Sequence, residues 1–349
     1  MVVDFNDLNM SQLAPQTAFE EKVVTFTSEW FSDSTTVHVQ TSGSTGVPKI
    51  LEVEKSRMRS SAQMTCDFLG LREGDSALLC LPVEYISGKM MVVRALVRKL
   101  KLHVESPSTR PLDNLTAAID FCAMSPLQVE HSLHRIHLIK KLIIGGAQVS
   151  ESLKRKIQGN TSLATDCRIY ETYGMSETLS HIALKEIFPK AEEYFSVFEG
   201  IEISQDSKGC LQISAPALHS VLLQTNDLVE LKSSRQFKFI GRLDHVINSG
   251  GLKIHPEHLE NILKRHLDNE VVFAGVDDEM LGQKLILLIE GEETESLMSR
   301  LTVALLEIQS FFSKNQVPKE TLFINPFPRT PNGKINRLEL LNLLDRPKL

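Results

Sequence analysis

No apolar run in this 349-residue sequence approaches the roughly 18 to 20 residues that span a bilayer, so no membrane-crossing helix is expected. The N-terminus, MVVDFNDLNM, has no basic stretch followed by an apolar one, and so no recognisable signal peptide. Cysteine is sparse and unpatterned. Cys66, Cys80, Cys122, Cys167 and Cys210 are an odd set without a C-x-x-C pair, which argues against a disulfide framework or haem attachment and for reduced thiols in the cytoplasm. Positive charge is not in excess: 38 Lys and Arg against 44 Asp and Glu give a net charge of -6, with no general attraction for nucleic acid or an anionic membrane. An anionic ligand must therefore be held by local groups. With 18 Gly and 14 Pro spread along the chain, no low-complexity segment is present.

What is there is the composition of an ordinary enzyme, 42% hydrophobic and 23% charged, at a length suited to one large domain and a smaller one. Residues 17–31, with the only tryptophan, Trp30, read as an amphipathic segment. VHVQ at 37–40 alternates as a strand and runs into TSGSTGVPK; 50–53 read as a short strand, and 56–69 as a helix with Met58, Ala62 and Phe68 turned inward. Apolar strand candidates ALLCL, KLHVE, KLIIGG and RIYETYG then alternate with helical stretches at 89–100 and 151–157, which predicts α/β layering. From Gly200 the short strands GIEISQD, KGCLQIS and RQFKFIG predict a compact β-rich subdomain. Beyond GRLDHVINSGG come a helix at 256–267, strands VVFAGV and KLILLIE, and a helix at 294–312, a small α+β domain.

Three segments carry chemistry. TSGSTGVPK brings hydroxyls from Thr41, Ser42, Ser44 and Thr45, permissive backbone at Gly43 and Gly46, and the cation of Lys49, a loop able to wrap a polyphosphate. It is not a Walker A loop, because Ile50 follows the lysine. YETYGMSET sets Glu177 beside a glycine turn, where a carboxylate suits Mg2+. PRTPNGKIN presents Lys334 on a Pro- and Gly-bounded turn. Singly, each has a plainer reading: a Ser/Gly turn, a helix N-terminal carboxylate, a solvated lysine.

Together and in this order they resemble the adenylate-forming superfamily of acyl-CoA synthetases, aryl-CoA ligases, luciferases and adenylation domains. The resemblance implies ATP, Mg2+ and coenzyme A as reactants, with small molecules as partners. It implies a phosphate loop spanning Thr41, Ser42, Gly43, Ser44, Thr45, Gly46 and Lys49. Gly145, Gly146 and Ala147 would lie on the adenine side, with Tyr173 stacking on the base, Gly174 in its turn, Ser176 near phosphate and Glu177 on Mg2+. TND resembles the ribose motif, with Asp227 the acceptor and Asn226 in a glycine's place at a positive backbone angle. GRLDHVINSGG resembles the hinge, with Arg242 toward ribose, Asp244 the pivot, and Gly250 and Gly251 near coenzyme A. The catalytic set would be Lys334, Glu177 and Lys49. The fold implied is a large ATP- and acyl-binding domain over 1–243 and a mobile domain over 244–349. Only 40 residues precede the phosphate loop, so a shortened large domain is expected, with its oligomer contacts left open.

LPVEYISGKMMVVRAL resembles the segment lining the acyl pocket, with Tyr85, Lys89 and Arg94 as candidates, and Ser180 and His181 follow the glutamate motif. Cations near an acyl pocket suit an acid with a second carboxylate. The run from Tyr173 to Glu186 looks most like the branch of the family that activates o-succinylbenzoate for menaquinone synthesis. Another aryl or medium-chain acid, or a non-catalytic adenylate-binding protein, remains as an alternative, as do surface and packing roles for Lys89 and His181. His131, His134 and His137 recur at a spacing of three without an acidic partner between them, and read as a solvated helix face rather than a metal site.

Overall fold

The computed structural model describes residues 1–40, 50–311, 316–329 and 335–344. Strands in chain order are β1 (Val2–Asp4), β2 (Thr36–Gln40), β3 (Ile50–Glu54), β4 (Ser76–Leu79), β5 (Lys101–Val104), β6 (Ile119–Met124), β7 (Ile139–Ile144), β8 (Arg168–Gly174), β9 (His181–Phe188), β10 (Phe195–Val197), β11 (Glu202–Gln205), β12 (Cys210–Ala215), β13 (His219–Ser233) and β14 (Gln236–Arg242). Helices α1 (Ala18–Trp30), α2 (Lys55–Phe68), α3 (Ile86–Arg98), α4 (Pro126–Ser132) and α5 (Glu151–Gln158) connect them.

Among the described residues, twelve of these strands form one sheet in the order β1-β5-β4-β6-β7-β8-β9-β10-β14-β13-β12-β11. From β5 to β8 the neighbours are parallel, and β9 turns back antiparallel to β8. Alternation explains how the parallel part is sandwiched. Ala77 and Leu79 of β4 and Phe121 of β6 enter one core with α1, α2 and α3; Leu78, Cys122, Leu142 and Ile144 enter the other with α4 and α5. Side chains the size of Phe121 and Met58 are fully buried, each stabilising by about 1.5 to 3 kcal/mol.

The compact β-rich subdomain expected after Gly200 forms, but as an extension of the main sheet rather than a sheet of its own. β14 pairs with β10, so strands β11 to β14 extend the main sheet. The 15-residue β13, unmarked by clear alternation, supplies the continuity by pairing with both β12 and β14. Phe68 is likewise not inward: it is 39% exposed, while Met58 and Ala62 are buried. The histidines do not share a helix, since His131 lies in α4 and His137 in a later turn of 3-10 helix.

A second sheet follows from β15 (Ile247–Ser249), β16 (Leu252–Ile254), β17 (Val271–Asp278), β18 (Gly282–Glu290) and β19 (Glu320–Ile324), with α6 (Pro256–Leu263), α7 (Glu295–Phe311) and α8 (Arg337–Asn342). The 3-10 turn Leu243–His245 joins the two sheets. Gly250 and Gly251, at φ 57° and 79°, form the two-residue turn between β15 and β16. Positive φ at both positions is what such a hairpin requires, so the turn alone accounts for both glycines.

Candidate active site

Parallel strands send their following loops to one edge. Chain order reverses between β4 and β6, and in such sheets the crevice at that reversal, beyond the strands' carboxyl ends, is where ligands bind. The loops at 80–85, 145–150 and 175–180 leave β4, β7 and β8 there. β2 also ends there, because Gln40 N donates to the Glu84 carbonyl at 3.2 Å and bridges to Tyr85. Thr41, Ser42, Gly43, Ser44, Thr45, Gly46, Lys49 and Lys334 lie outside the described residues.

On the nucleotide side, a Cβ on Gly145 would meet Thr172 Oγ1 at 2.5 Å, while Gly146 has a left-handed φ of 84° with open space around it. Ala147 is exposed beside it. Beneath this loop lies a feature the motifs did not mark. Glu171 is buried, accepts from Val149 N at 3.2 Å, and pairs with Lys154 at 3.1 Å and Lys185 at 2.9 Å. Burial alone would raise its carboxyl pKa, but Lys185 and Lys154 hold it below the ordinary value. Its one sequence signal is a carboxylate in the middle of the apolar strand RIYETYG.

Two residues on, Tyr173 packs edge-on to Phe237 and tilted against Phe195, and its hydroxyl donates to Asp227 Oδ2 at 2.5 Å. Asp227 and Arg242 face each other across β13 and β14, with Arg242 Nη1 3.4 Å from Asp227 Oδ1. Arg242 also holds both carboxylate oxygens of Asp244 at 2.9 Å. Burial raises the pKa of Asp227, offset in part by Tyr173 and Arg242; Asp244 is lowered, chiefly by its hydrogen bonds from Arg242. A carboxylate has about four acceptor positions, so Asp227 keeps capacity for two ribose hydroxyls. Asn226 needs no positive backbone angle: it sits within β13, and Thr225 Oγ1 accepts from Asp227 N at 3.0 Å.

The turn after β8 is tight and partly strained. Leu179 holds a left-handed φ of 69°, a conformation costing a leucine roughly 1 to 2 kcal/mol. Thr178 Oγ1 accepts from Met175 N at 3.0 Å, and Arg57 on α2 donates to the Glu177 carbonyl at 3.3 Å. The turn exposes Ser176 and Glu177 and directs Ser180 and His181 inward. Glu177 is thus in a turn rather than at a helix N-terminus. Its carboxylate has no cationic partner among the described residues, which fits a hard oxygen ligand for Mg2+. Gly174 is obligatory, because a Cβ there would lie 2.4 Å from His181 Cα.

On the acyl side, α3 begins at Tyr85, and Gly88 lets its first turn rest on Pro82, whose carbonyl oxygen a Cβ would meet at 2.2 Å. Arg94 is 2% exposed; its Nη2 donates to Ser180 Oγ at 3.0 Å, Nη1 approaches only Met91 Sδ at 3.8 Å, and buried Nε has no partner. No carboxylate pairs with it among the described residues. His181, packed edge-on to Phe198, is also buried, with Nδ1 3.3 Å from Ser180 Oγ and Nε2 3.1 Å from Thr65 Oγ1. Burial and then the charge of Arg94 push its pKa well below the usual value. The structure therefore brings Arg94, Ser180 and His181 together. It does not bring Lys89 to them: that buried ammonium lies 4.1 Å from the Phe26 ring centroid, toward α1. Thr65 and Arg57, both on α2, are contributors no motif announced.

An open, mostly parallel sheet with its chain reversal here is an architecture that takes ligands at this edge, and the AMP-binding enzyme family, a class of nucleotide-handling enzymes, matches residues 1–197. The chain belongs to that family. It is 24% identical to a 2-succinylbenzoate–CoA ligase of Listeria monocytogenes, over 95% of this chain and 74% of that one. It is 25% identical to the protein of the same name from Geobacillus, over 97% and 74%. A solved acyl-CoA synthetase (AMP-forming)/AMP-acid ligase II-like protein from Dyadobacter fermentans is 34% identical, with a TM-score of 0.67, and 99% of each chain is covered. The fold is also that of the o-succinylbenzoate CoA synthetase of Bacillus subtilis solved with its acyl-adenylate, at 19% identity and a TM-score of 0.72, over 90% of this chain and 70% of that one.

Proposed function

We propose that this protein is a cytoplasmic ligase that converts o-succinylbenzoate to its coenzyme A thioester through an acyl-AMP, releasing pyrophosphate and then AMP. Family membership supports the adenylate chemistry. The observation that carries the choice of acid is Arg94, a buried guanidinium with no carboxylate partner among the described residues, suited to a substrate with a second carboxylate.

A carboxylate lacks a good leaving group. In the first step one oxygen of the acid attacks the α-phosphorus of ATP, and the bond to pyrophosphate breaks. In the second the thiol sulfur attacks the acyl carbon, the C–O bond to AMP breaks, and the thiol proton passes to solvent. Thr41, Ser42, Gly43, Ser44, Thr45, Gly46, Ser176 and Lys49 hold the phosphates in this reading, and Lys334 steadies the charge developing in adenylation. Gly145, Gly146, Ala147, Tyr173 and Gly174 receive the adenine, and Asp227 and Arg242 the ribose. Glu177 would hold Mg2+, which would supply positive charge against the phosphates. Tyr85, Arg94, Ser180 and His181 face the acid, with Lys89 behind them on Phe26. Residues 244–349 turn about Asp244 between the half-reactions, bringing Gly250 and Gly251 toward the pantetheine.

Acid-dependent pyrophosphate release, screened with o-succinylbenzoate, benzoates and medium-chain acids, tests this reading. Turnover is expected with o-succinylbenzoate at the highest kcat/KM. Preference for a monocarboxylic acid overturns the substrate, and ATP binding without release under any acid overturns the activity.

A further inference from the structure

The hydrogen bonds around Arg94 have a direction that can be read atom by atom. Thr65 is fully buried on α2, and its hydroxyl donates to the Ser61 carbonyl at 3.1 Å. Its single proton is thereby used, so toward His181 Nε2, 3.1 Å away, the oxygen acts as acceptor. The histidine proton then sits on Nε2, and bare Nδ1 accepts from the Ser180 hydroxyl at 3.3 Å. With its proton committed to the ring, Ser180 Oγ turns its lone pairs to Arg94 Nη2, which donates at 3.0 Å. The opposite tautomer would place a ring N–H against Ser180, leave the serine proton without its ring acceptor, and draw the Thr65 proton away from Ser61.

We propose that Thr65 is a positioning residue for acid specificity: acting through His181 and Ser180, it fixes the Arg94 guanidinium in the orientation that receives the second carboxylate of the substrate. The inference rests on the o-succinylbenzoate reading above. Thr65 lies 116 residues from His181 in sequence, and Arg94 lies 86 from Ser180, so α2, α3 and the first residue of β9 with the turn before it are tied at one point. Fixing Nη2 leaves Nε unpartnered and Nη1 with only a thioether. These are charged donors held in the interior with no carboxylate among the described residues to satisfy them. Removing the buried acceptor at Thr65 frees the ring to adopt either tautomer; in one of them Ser180 is no longer aimed at the guanidinium.

Two measurements on the intact enzyme test the relay. Thr65→Val, which keeps the branched shape, is expected to raise KM for o-succinylbenzoate about 3- to 10-fold, the loss typical of one neutral hydrogen bond. KM for ATP and for a monocarboxylic analogue should stay within about twofold, and Thr65→Ser, which retains the hydroxyl, should restore the wild-type value. In histidine-labelled protein, the nitrogen resonances absent from His181→Gln should report a neutral ring with its proton on Nε2, and that fixed assignment should be lost in Thr65→Val. Equal damage by Val and Ser, parallel loss with both acids, an unchanged KM in Thr65→Val, or a proton on Nδ1 in the wild type overturns the proposal. If the wild type releases no pyrophosphate with o-succinylbenzoate, the substrate reading fails by itself, and the resonances still decide the relay: a fixed Nε2 proton lost in Thr65→Val supports it, and any other pattern sinks it.

Discussion

Replacing Arg94 by methionine separates two roles that most buried residues combine. The guanidinium is 2% exposed, and burial lowers its pKa to about 10, so it remains charged at neutral pH. Among the described residues its only strong acceptor is Ser180 Oγ. A folded state carrying a buried cation without a counter-charge gains little from it, so Arg94→Met, of similar length and without charge, should leave stability unchanged or raise it by up to about 2 kcal/mol. Substrate binding should move the other way. A carboxylate on the free donors gains a charge-assisted hydrogen bond of about 1.5 to 3 kcal/mol, so KM for o-succinylbenzoate should rise about 10- to 100-fold. KM for ATP and for a monocarboxylic analogue should hardly change. Continuous pyrophosphate release gives the KM values, and urea titration followed by circular dichroism gives the stability. A protein destabilised by more than about 2 kcal/mol, or one that loses both acids in proportion, would mean that Arg94 is a packing residue; an unchanged KM would place it outside the site.

Other consequences are as specific. The fold accommodates neutral His181, with its pKa depressed, so the unfolded chain takes up the proton first. Stability from this site is full above about pH 6.5 and falls as pH drops, by at most about 1.4 kcal/mol per unit; denaturation of His181→Gln between about pH 6.5 and 5 should show a shallower loss than wild type. Gly174→Ala sets a Cβ against the His181 backbone at 2.4 Å, and should cost about 1 to 3 kcal/mol of stability and raise KM for the acid; normal stability and kinetics would show that β8 and β9 separate freely. Lys334→Ala should nearly abolish adenylate formation while CoA transfer from preformed acyl-AMP survives, and equal loss in both steps would remove the lysine from its assigned half-reaction.

Strand alternation and helical period act over a few residues, which is why β4, β5, β7 and β8, helices α3 and α5, and β17 and β18 of the small domain were legible in the sequence within a few residues of their ends. Motif order likewise marked Tyr173, Asp227, Arg242 and Asp244 before any geometry was known. Partner choice is not local. That β14 would add to β10, making the expected β-rich subdomain part of one continuous sheet, depends on hydrogen bonding between segments with no shared pattern. Helix rotation is not local either: Lys89 and Arg94 stand on one helix within about one and a half turns, yet packing sends the first to Phe26 and the second to Ser180. Glu171 and Thr65 carry no motif at all, and their meaning comes from the lysines and the histidine brought to them. The sequence by itself determined which kinds of group the protein possesses and the strands and helices that bear them. Only the tertiary structure decided which buried charge meets no counter-charge among the described residues, because that depends on every neighbour a side chain meets.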